Sequence, residues 1–532
     1  MTDPNPKSEK NASELDASAA AGRVYLVGAG PGDPGLITVA GLDALRSCDA
    51  VVYDALANPV LLDQAPASAD RYDVGKRAKF HKFTQDETNQ LLVDLAKQGK
   101  RVVRLKGGDP YLFGRGAEEA AFITKRGVRC DVVPGVTSGI AAPATAGIPV
   151  THRKVASTVT IITGHEDPTK GETSIDYKAL ADLIKAGGTA CFYMGVGRLQ
   201  AICDELIGHG LSDTMPAALI QWGTLPKQRH ALGTLGNIKA KVDAAGLGSP
   251  AIIVVGEVAA IDEPGLDYFT NRPLFGQRIL VTRTRQQASD LRLALESLGA
   301  GVIEAPTIRI DPPADEDDAA LKRAAETLES YDAAIFTSAN AVDALADRLD
   351  AASLDGRALA GLHLSCIGNA TADRLRERLG CRADLVPERS IAEAFVRELI
   401  DDAGLAGKRF LLPQADIARP LLAEGLRDAG CTVDVITAYQ TNAVESLPED
   451  VLETLRAGEI DWVTFTSSST ARNLAELLGD ERGLLDRCRL ASIGPKTSDT
   501  MRELGLSIAI EAERHDIEGL VQALIRAAAS AG

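Results

Sequence analysis

The feature that most constrains the fold is the alternation of short valine- and isoleucine-rich runs with helical segments along the first half of the chain. Runs of this length between turn-forming residues predict strands, and the helices between them imply crossovers joining parallel strands. We therefore expect an α/β fold with mainly parallel strands. The runs are RVYLVG, AVVYD, RVVRLKGGDP, VTIITG, TACFYMG, PAALIQ and PAIIVVGEV.

The second half contains a weak internal duplication. Three segments recur at a nearly constant offset of about 130 residues, which chance matches would rarely do. Residues 277–302 resemble 408–433, residues 331–345 resemble 460–474, and residues 364–380 resemble 490–506. We therefore expect two similar α/β lobes, with the cleft between them as the default ligand site.

Composition excludes several classes of function. The net charge of −17 disfavours nucleic acid as a partner. No apolar run reaches the roughly 18 residues of a membrane helix, and residues 1–21 are polar, which predicts a disordered tail and no signal peptide. The eight cysteines are scattered without C-x-x-C spacing, so we expect free thiols in a reducing cytoplasm and no metal site.

A glycine-rich stretch, VGAGPGDPGLIT (27–38), lies between a predicted strand and a predicted helix. Read from Gly30 it fits G-x-G-x-x-G, and an aspartate lies about 20 residues further on, as in dinucleotide-binding folds. However, Pro31 and Pro34 each lack the N–H donor that a pyrophosphate needs, and Asp33 adds negative charge. A nucleotide loop, a turn that merely needs glycine, and a loop for a phosphate-free ligand all remain possible.

The segments that follow this loop favour the third interpretation. Together they resemble the uroporphyrinogen-III C-methyltransferases, S-adenosylmethionine-dependent enzymes of the precorrin and sirohaem pathways, over about residues 22–260. The cofactor of that family carries no phosphate and is cationic, so it suits a loop that is poor in N–H donors. The segments are VVYDALANP, DVGKRAKFHKFTQDETNQLL, VVRLKGGDPYLFGRGAEE, VVPGVTSGIAAPATAGIPVTHR, YMGVGRL, AALIQWGTLPKQRHALGTL and SPAIIVVGEV.

This resemblance implies a set of cofactor-binding residues. Gly107 and Gly108 would let the backbone approach the ligand, Asp109 would pair with the methionyl ammonium, and Met194 would give an adaptable apolar contact. The alternative is that the two glycines form only a turn and that Met194 fills the core. The full set is Pro31, Gly107, Gly108, Asp109, Leu112, Thr137, Ser138, Met194 and Gly223.

The resemblance places an acid–base pair on Asp54 and Lys76. A carboxylate can accept the proton that leaves the methylated macrocycle, and a lysine can donate one or neutralise developing charge. Arg77 and Arg153 would bind the carboxylates of the substrate. The alternatives are a helix cap for Asp54 and a solvated face for the basic run GKRAKFHK.

The second half resembles uroporphyrinogen-III synthase over about residues 276–530. The resemblance implies lobes at about 276–311 plus 440–532 and at about 312–439, and a reaction that closes hydroxymethylbilane while inverting its last ring. The segments that carry it are ILVTRTR, FTSANAV, FLLPQADIARPLLAEGLRDAGCTVDVITAYQT, FTSSSTARNL and ASIGPKTSDTMRELGL.

Hydroxyl groups after predicted strands are the expected site of the second half. The resemblance makes Tyr439 the residue that assists departure of the substrate hydroxyl. Serines and threonines at such positions are more often helix N-caps, although a capped helix N-terminus also binds anions. The candidate substrate-binding residues are Arg283, Thr337, Ser338, Thr466, Ser467, Ser468 and Thr497.

Together the resemblances imply a bifunctional tetrapyrrole enzyme. The second half, 276–532, would make uroporphyrinogen III, and the first half, 22–260, would methylate it twice to precorrin-2, with 261–275 as linker. Family likeness also implies a homodimer through the methyltransferase half. The alternatives are a second half that only binds tetrapyrrole or a partner, and a nicotinamide-dependent oxidoreductase built on the glycine-rich loop.

Overall fold

The computed structural model describes residues 22–75, 83–164, 174–282, 285–387, 392–418 and 420–530. The chain divides into two compact units. One reaches to Gln277 and includes Leu295–Gly301, and the other comprises Arg278–Ala294 and Val302–Ala531. Among the helices of these ranges, none combines the length and hydropathy needed to cross a membrane.

The first unit opens with a parallel sheet. Its strands are β1 (Arg23–Gly28), β2 (Ala50–Tyr53), β3 (Asp70–Asp73), β4 (Arg101–Lys106) and β5 (Arg129–Val133). All neighbours in the order β3-β2-β4-β1-β5 run parallel. The helices between and after these strands are α1 (Val39–Arg46), α2 (Gln85–Lys97), α3 (Gly116–Thr124) and α4 (Ser138–Thr145). The carboxyl ends of the strands therefore share one edge, where ligands bind in open parallel sheets.

A second sheet of the first unit is mixed. Its strands are β6 (Thr158–Thr163), β7 (Gly188–Tyr193), β8 (Pro216–Gln221), β9 (Arg229–Thr234) and β10 (Ala251–Val255), and its helices are α5 (Tyr177–Lys185), α6 (Leu199–Gly208) and α7 (Ile238–Ala244). In the order β6-β7-β10-β8-β9 only β6 and β7 run parallel. The expectation of mainly parallel strands is wrong for this sheet, because the short connection between β8 and β9 reverses the chain without a crossover.

The second unit contains two further sheets. The first strands in the chain are β11 (Arg278–Val281), β12 (Gly301–Glu304), β13 (Ile308–Asp311), β14 (Ala333–Phe336) and β15 (His363–Cys366). The others are β16 (Arg409–Ala415), β17 (Thr432–Ala443), β18 (Trp462–Phe465), β19 (Arg489–Ser492) and β20 (Ile508–Glu511). The sheet orders are β12-β11-β18-β19-β20 and β13-β17-β16-β14-β15.

Helices connect most of these strands. They are α8 (Arg285–Ser297), α9 (Asp315–Glu326), α10 (Ala339–Ala351), α11 (Asn369–Leu379), α12 (Ala392–Arg397), α13 (Leu421–Asp428), α14 (Glu449–Arg456), α15 (Ser468–Leu478), α16 (Pro495–Glu503) and α17 (Ile517–Ala529). Several begin at a side-chain cap; in α10 the hydroxyl of Ser338 accepts a hydrogen bond from the N–H of Ala341 at 3.2 Å. A capped start leaves fewer unpaired backbone donors.

The duplicated segments occupy equivalent places in these two sheets. The segments at 277–302 and 408–433 contain β11 and β16, and those at 331–345 and 460–474 contain β14 and β18. The sheet orders match strand for strand: β12-β11-β18-β19 corresponds to β17-β16-β14-β15. Each sheet therefore takes one member of every repeated pair, and the chain passes between the two sheets twice.

The chain passes between the two sheets at positions that differ from the sequence-based lobe limits of 311 and 440. β13 belongs to the second of these sheets, where Ile308 pairs with Ala443 and Asp311 with Gln440 in antiparallel register. β17 is long enough to pair with β16 first and with β13 last. The lobe limits drawn by sheet membership are therefore near 305 and 443, because β13 has no counterpart in the repeat that the sequence displays.

Candidate active site

Three glycine-bearing loops meet at the carboxyl ends of β1, β4 and β5. Gly108 donates its N–H to the carbonyl oxygen of Gly30 at 2.7 Å, and Gly30 donates back at 3.3 Å. A Cβ atom on Gly135 would lie 2.2 Å from the carbonyl oxygen of Gly108 and 2.7 Å from the Cα of Gly28. Real Cβ atoms do not approach backbone so closely, so this junction requires glycine at the loop that follows β5.

Asp109 holds two of these loops together. One carboxylate oxygen accepts the N–H of Gly135 at 3.0 Å, and the other accepts the N–H of Tyr111 at 2.8 Å. Each oxygen of a carboxylate can accept a second hydrogen bond. The carboxylate that the sequence assigns to a cofactor ammonium is therefore also the clamp between the turn after β4 and the loop after β5.

The polar groups of the loop after β1 form hydrogen bonds with other parts of the protein. The N–H of Asp33 donates to the hydroxyl of Thr224 at 3.0 Å, and the side-chain amide of Asn58 donates to the carbonyl oxygen of Gly32 at 2.8 Å. The carboxylate of Asp33 caps the short helical turn that follows, accepting an N–H at 2.8 Å. With Pro31 half-buried and donor-free, the loop has few N–H groups left for a pyrophosphate.

Loops of the second sheet approach the same region through Tyr193. Its phenol hydrogen-bonds with the hydroxyl of Thr137 and accepts the N–H of Gly139, both at the start of α4, where Ser138 is the first residue. Its ring lies 5.3 Å from the ring of Phe113, centroid to centroid. Sequence reasoning did not single out Tyr193, although it directly precedes Met194.

Gly223 is required for packing. A Cβ atom there would lie 2.2 Å from the Cβ of Ala142 in α4. Close to it, Thr224 accepts the N–H of Asp33, and its own N–H donates at 2.9 Å to the buried side chain of Gln228. The loop after β8 is thereby tied both to α4 and to the loop after β1.

Non-glycine residues with positive φ gather in these loops. Phe113 has φ 54°, Met194 has φ 54°, and Trp222 and Thr224 have φ 52° and 70°. This left-handed backbone conformation is strained for L-residues other than glycine. Such strain persists only where the surrounding structure imposes it, and strained residues cluster at ligand sites. The strained residues therefore lie in the same loops that meet at the glycine junction. No pattern in the sequence predicted them.

Apolar side chains are exposed around the junction. Met194 is 51% exposed and Tyr111 is 56% exposed, and Leu56, Phe113 and Ile140 are also exposed, whereas Leu112 is half-buried. Large apolar groups left in water beside a polar loop cluster are typical of a ligand site. Met194 is therefore not part of the core, which removes the alternative that sequence reasoning had left for it. We call these five exposed side chains the apolar rim.

Asp54 directly follows β2, and its carboxylate is partly exposed. One oxygen accepts the N–H of Leu56 at 3.1 Å, and the other lies 3.6 Å from the guanidinium of Arg104. The predicted partner Lys76 lies outside the described residues, as does Arg77. Arg153 is exposed in the turn before β6.

A buried charge cluster lies behind Asp54. The carboxylate of Glu119 is fully buried and lies 3.0 Å from the Nζ of Lys106 and 3.5 Å from the Nε of Arg104, and the side-chain amide of Gln85 donates to it at 2.9 Å. Burial and the neighbouring Arg104 lower the pKa of Lys106. The signal in the sequence was the run RVVRLK, which places two cations at alternate positions of a strand expected to be buried.

In the second unit, Ser338 and Ser467 are helix caps at equivalent places of the duplication. The hydroxyl of Ser467 accepts the N–H of Thr470 at 3.3 Å, as Ser338 does for α10. The hydroxyl of Ser338 also lies 3.0 Å from the phenol oxygen of Tyr439. The structure thus brings one predicted substrate-binding residue into contact with the predicted catalytic tyrosine.

The other candidates of the second unit follow the ends of β14, β18 and β19. The hydroxyl of Ser468 donates to the carbonyl oxygen of Lys496 at 3.0 Å, and Thr497 is buried in the first turn of α16. The hydroxyl of Thr466 is buried without a hydrogen-bond partner in the described part of the chain, whereas Thr337 is half-buried. Arg283 lies outside the described residues.

Comparison with known proteins covers both halves. Residues 23–239 match the Tetrapyrrole (Corrin/Porphyrin) Methylases, and residues 289–522 match Uroporphyrinogen-III synthase HemD. The Porphyrin biosynthesis protein HemD of Ruminiclostridium josui is 36% identical over 505 residues, which cover 95% of this chain and 98% of that protein. The chain belongs to this fused methylase–synthase family. The family, the fold class and the two enzyme classes predicted from the sequence are confirmed.

Further relatives match the methylase half alone. The S-adenosyl-L-methionine-dependent uroporphyrinogen III methyltransferase of Methanosarcina barkeri is 50% identical over 242 residues, 46% of this chain and 94% of that protein. The crystal structure of a uroporphyrin-III C-methyl transferase from Thermus thermophilus, complexed with S-adenyl homocysteine, is 36% identical and covers 45% of this chain and 100% of that one, with a TM-score of 0.38. The first of these relatives supports the predicted cofactor.

Proposed function

We propose that the methylase half methylates uroporphyrinogen III twice with S-adenosylmethionine and so forms precorrin-2, the precursor of sirohaem and cobalamin. The observation that carries this proposal is the glycine junction with the apolar rim around Met194. A surface of this kind suits a cofactor without phosphate and a large, partly apolar macrocycle. The Methanosarcina barkeri relative, whose name states both cofactor and substrate, supports it.

The residues at the junction fit that cofactor. Gly108 has φ +68°, and a Cβ atom there would meet none of the described atoms within 4 Å, so its backbone borders open space. Asp109 keeps lone pairs for an ammonium group in addition to its two backbone bonds. S-adenosylmethionine, when bound, supplies an electrophilic methyl group on a sulfonium.

Asp54 is proposed as the base of the reaction. After a pyrrole carbon has taken the methyl group, a proton must leave the macrocycle, and a partly exposed carboxylate at the strand end can accept it. Arg104 lies 3.6 Å from this carboxylate and helps to hold its orientation. Lys76 is proposed to donate a proton or neutralise developing charge, and Arg77 and Arg153 to pair with substrate carboxylates.

The test of the methylase half is Asp54→Asn in the full chain, supplied with uroporphyrinogen III and S-adenosylmethionine. We expect methylation to slow by about 10²–10⁴-fold while calorimetry shows nearly unchanged cofactor affinity. Asp49→Asn is the matched control, because Asp49 flanks the same strand at its other end and accepts the N–H of Arg101 at 2.8 Å. Equal rates in both variants would refute the role of Asp54, and tight NAD binding without S-adenosylmethionine binding would refute the cofactor.

For the synthase half we propose closure of hydroxymethylbilane with inversion of the last ring. Loss of the hydroxyl creates an electrophilic carbon, so the protein mainly holds the chain in a reactive conformation. Tyr439 is proposed to donate the proton that the departing hydroxyl takes. The N–H groups at the starts of α10, α15 and α16, where Ser338, Ser467, Ser468 and Thr497 lie, are proposed to bind the propionate and acetate groups together with Thr337, Thr466 and Arg283.

The test of the synthase half is isomer analysis. The full chain, without S-adenosylmethionine, is given hydroxymethylbilane generated enzymatically, and the product isomers are separated. The proposal requires the type III isomer. Formation of the type I isomer alone, which arises spontaneously, would favour the alternative that this half merely binds tetrapyrrole or a partner.

We also propose a cytoplasmic homodimer associated through the methylase half and acting on small tetrapyrroles without nucleic acid. The free state of all eight cysteines supports a reducing compartment, and the net charge of −17 argues against nucleic acid. Light scattering during size-exclusion chromatography measures the assembly state; a monomeric mass would refute the dimer.

A further inference from the structure

The hydroxyl of Ser338 and the phenol of Tyr439 form a pair across two strands of one sheet. Ser338 follows β14 and caps α10, whereas Tyr439 lies on β17, and the two oxygens are 3.0 Å apart. Both side chains are half-buried. The contact joins residues 101 positions apart in the chain, so no local turn or helix requires it.

The hydrogen bond between Ser338 and its helix determines which oxygen of the Ser338–Tyr439 pair can act as the donor. Its oxygen accepts the N–H of Ala341 at 3.2 Å, so the first turn of α10 donates to one lone pair and the hydroxyl proton remains to be placed. Among the described residues, the phenol oxygen of Tyr439 is the acceptor within hydrogen-bond distance. When Tyr439 gives its own proton to a ligand, Ser338 can therefore donate to the phenol oxygen.

The charge that develops on the phenol oxygen favours this arrangement. A hydrogen bond to a charged oxygen is roughly twice as strong as one between neutral groups. The positive end of the α10 dipole lies at Ser338 and adds to the stabilisation. The hydrogen bond from Ser338 to Tyr439 therefore stabilises the phenol more strongly as it loses its proton than in the resting protein.

The internal duplication supplies a comparison within the same molecule. Ser467 stands where Ser338 stands in the other sheet and caps α15 in the same way. Its hydroxyl lies 2.9 Å from the hydroxyl of Ser469, and within the described ranges no tyrosine pairs with it. Capping alone is therefore satisfied without a phenol, and the pairing with Tyr439 distinguishes one copy from the other.

We propose that Ser338 is a positioning residue that orients the phenol of Tyr439 and donates a hydrogen bond to it as it loses its proton. The inference rests on the proposed role of Tyr439. In the step, the bond between the hydroxymethyl carbon and its oxygen breaks, the electron pair leaves with the oxygen, and the phenol proton completes a water molecule. The proton that the ring carbon loses after closure restores the phenol.

The test measures type III isomer formation by full chains carrying Ser338→Ala, Ser338→Thr, Tyr439→Phe, and Ser338→Ala with Tyr439→Phe. We expect Ser338→Ala to lower kcat by about tenfold or more with little change in KM, since a hydrogen bond to a charged group is lost. Threonine keeps the hydroxyl and should restore most of kcat. In the Tyr439→Phe background, Ser338→Ala should cause no further loss.

The outcomes separate this inference from the proposed function. A Tyr439→Phe variant with wild-type kcat refutes the role of Tyr439 itself. A slow Tyr439→Phe variant beside an unaffected Ser338→Ala variant, or losses that multiply in the double variant, overturns the role of Ser338 alone.

Asp355→Ala is the control variant for the loss of a cap. Asp355 caps the turn Gly356–Leu359, accepting the N–H of Arg357 at 3.0 Å, and precedes β15, which pairs with β14 in parallel. We expect this variant to keep wild-type kcat. A similar fall in kcat in Asp355→Ala and Ser338→Ala would assign the effect to a weakened fold and overturn the inference.

Discussion

The carboxylate of Glu119 lies 3.0 Å from the ammonium nitrogen of Lys106, and both side chains are buried. Arg104 contacts the same carboxylate and reaches Asp54 on its other side. Strand β4 thereby carries two cations into the interior. Glu119 of helix α3 is the anion that both contact, and Asp54 is the second anion. The candidate base of the methylase half thus stands at the outer end of a buried network of charges.

Replacing Glu119 by glutamine should strongly destabilise the methylase half. The substitution removes the anion that both buried cations contact and leaves Arg104 with the partly exposed Asp54 alone. Breaking a buried ion pair in this way costs about 3–5 kcal/mol. Thermal and denaturant unfolding of the full chain would measure the loss. Glu118→Gln is the matched control, because the adjacent Glu118 pairs with Arg115 in the exposed part of the same helix, where an ion pair contributes about 0–1 kcal/mol. Equal stability of the two variants would contradict the network.

Gly135→Ala should weaken cofactor binding by about tenfold or more. The added Cβ would meet backbone atoms of Gly108 and Gly28, so the loops must separate, at an overpacking cost of about 1–3 kcal/mol. Calorimetric titration with S-adenosylhomocysteine measures the change. Gly208→Ala, at the end of α6 with open space around it, should bind normally. An unaltered affinity for Gly135→Ala would show that the junction does not shape the cofactor site.

Met194→Ala should raise the dissociation constant of the cofactor by about fivefold without lowering stability. The side chain is exposed, so folding gains little from it, whereas covering it with a ligand contributes about 1 kcal/mol. The leucine variant should bind nearly as the wild type does. A lower melting temperature with unchanged affinity would indicate a packing role instead.

Cys191 and Cys366 should react slowly with thiol reagents in the native protein and rapidly after unfolding. Burial raises the pKa of Cys191 and of Cys366 from 9.0 to about 12, and the thiolate is the reactive form. The same shift makes stability fall as the pH rises from about 9 towards 12, because the unfolded thiols ionise first. Fast labelling of Cys191 and Cys366 in the native state would contradict this burial.

Much of the methylase half follows from local sequence. The runs that became β1, β2 and β4 alternate with helical patterns, and these fix a parallel sheet whose strand ends carry the glycine loops. The clamp by Asp109 and the tie from Thr224 to Asp33 could not be predicted, since they join loops that are distant in sequence. The strained backbone at Met194 is likewise imposed by packing and leaves no compositional mark.

In the synthase half the duplication predicted two similar lobes, and the matching sheet orders reflect it. The serines after β14 and β18 read as caps, and the structure shows them as caps. The repeat could not predict how the sites in its two copies differ. The contact of Ser338 with Tyr439 depends on β17 lying two strands away from β14, which only the assembled sheet defines.

The central claim, that one chain both closes and methylates a tetrapyrrole, is tested most directly by giving the whole protein hydroxymethylbilane and S-adenosylmethionine together. Absorbance and chromatography follow the products, and released S-adenosylhomocysteine counts the methyl transfers. The account predicts precorrin-2 and two methyl transfers for each tetrapyrrole consumed. Accumulation of unmethylated type I uroporphyrinogen, with no release of S-adenosylhomocysteine, would contradict it.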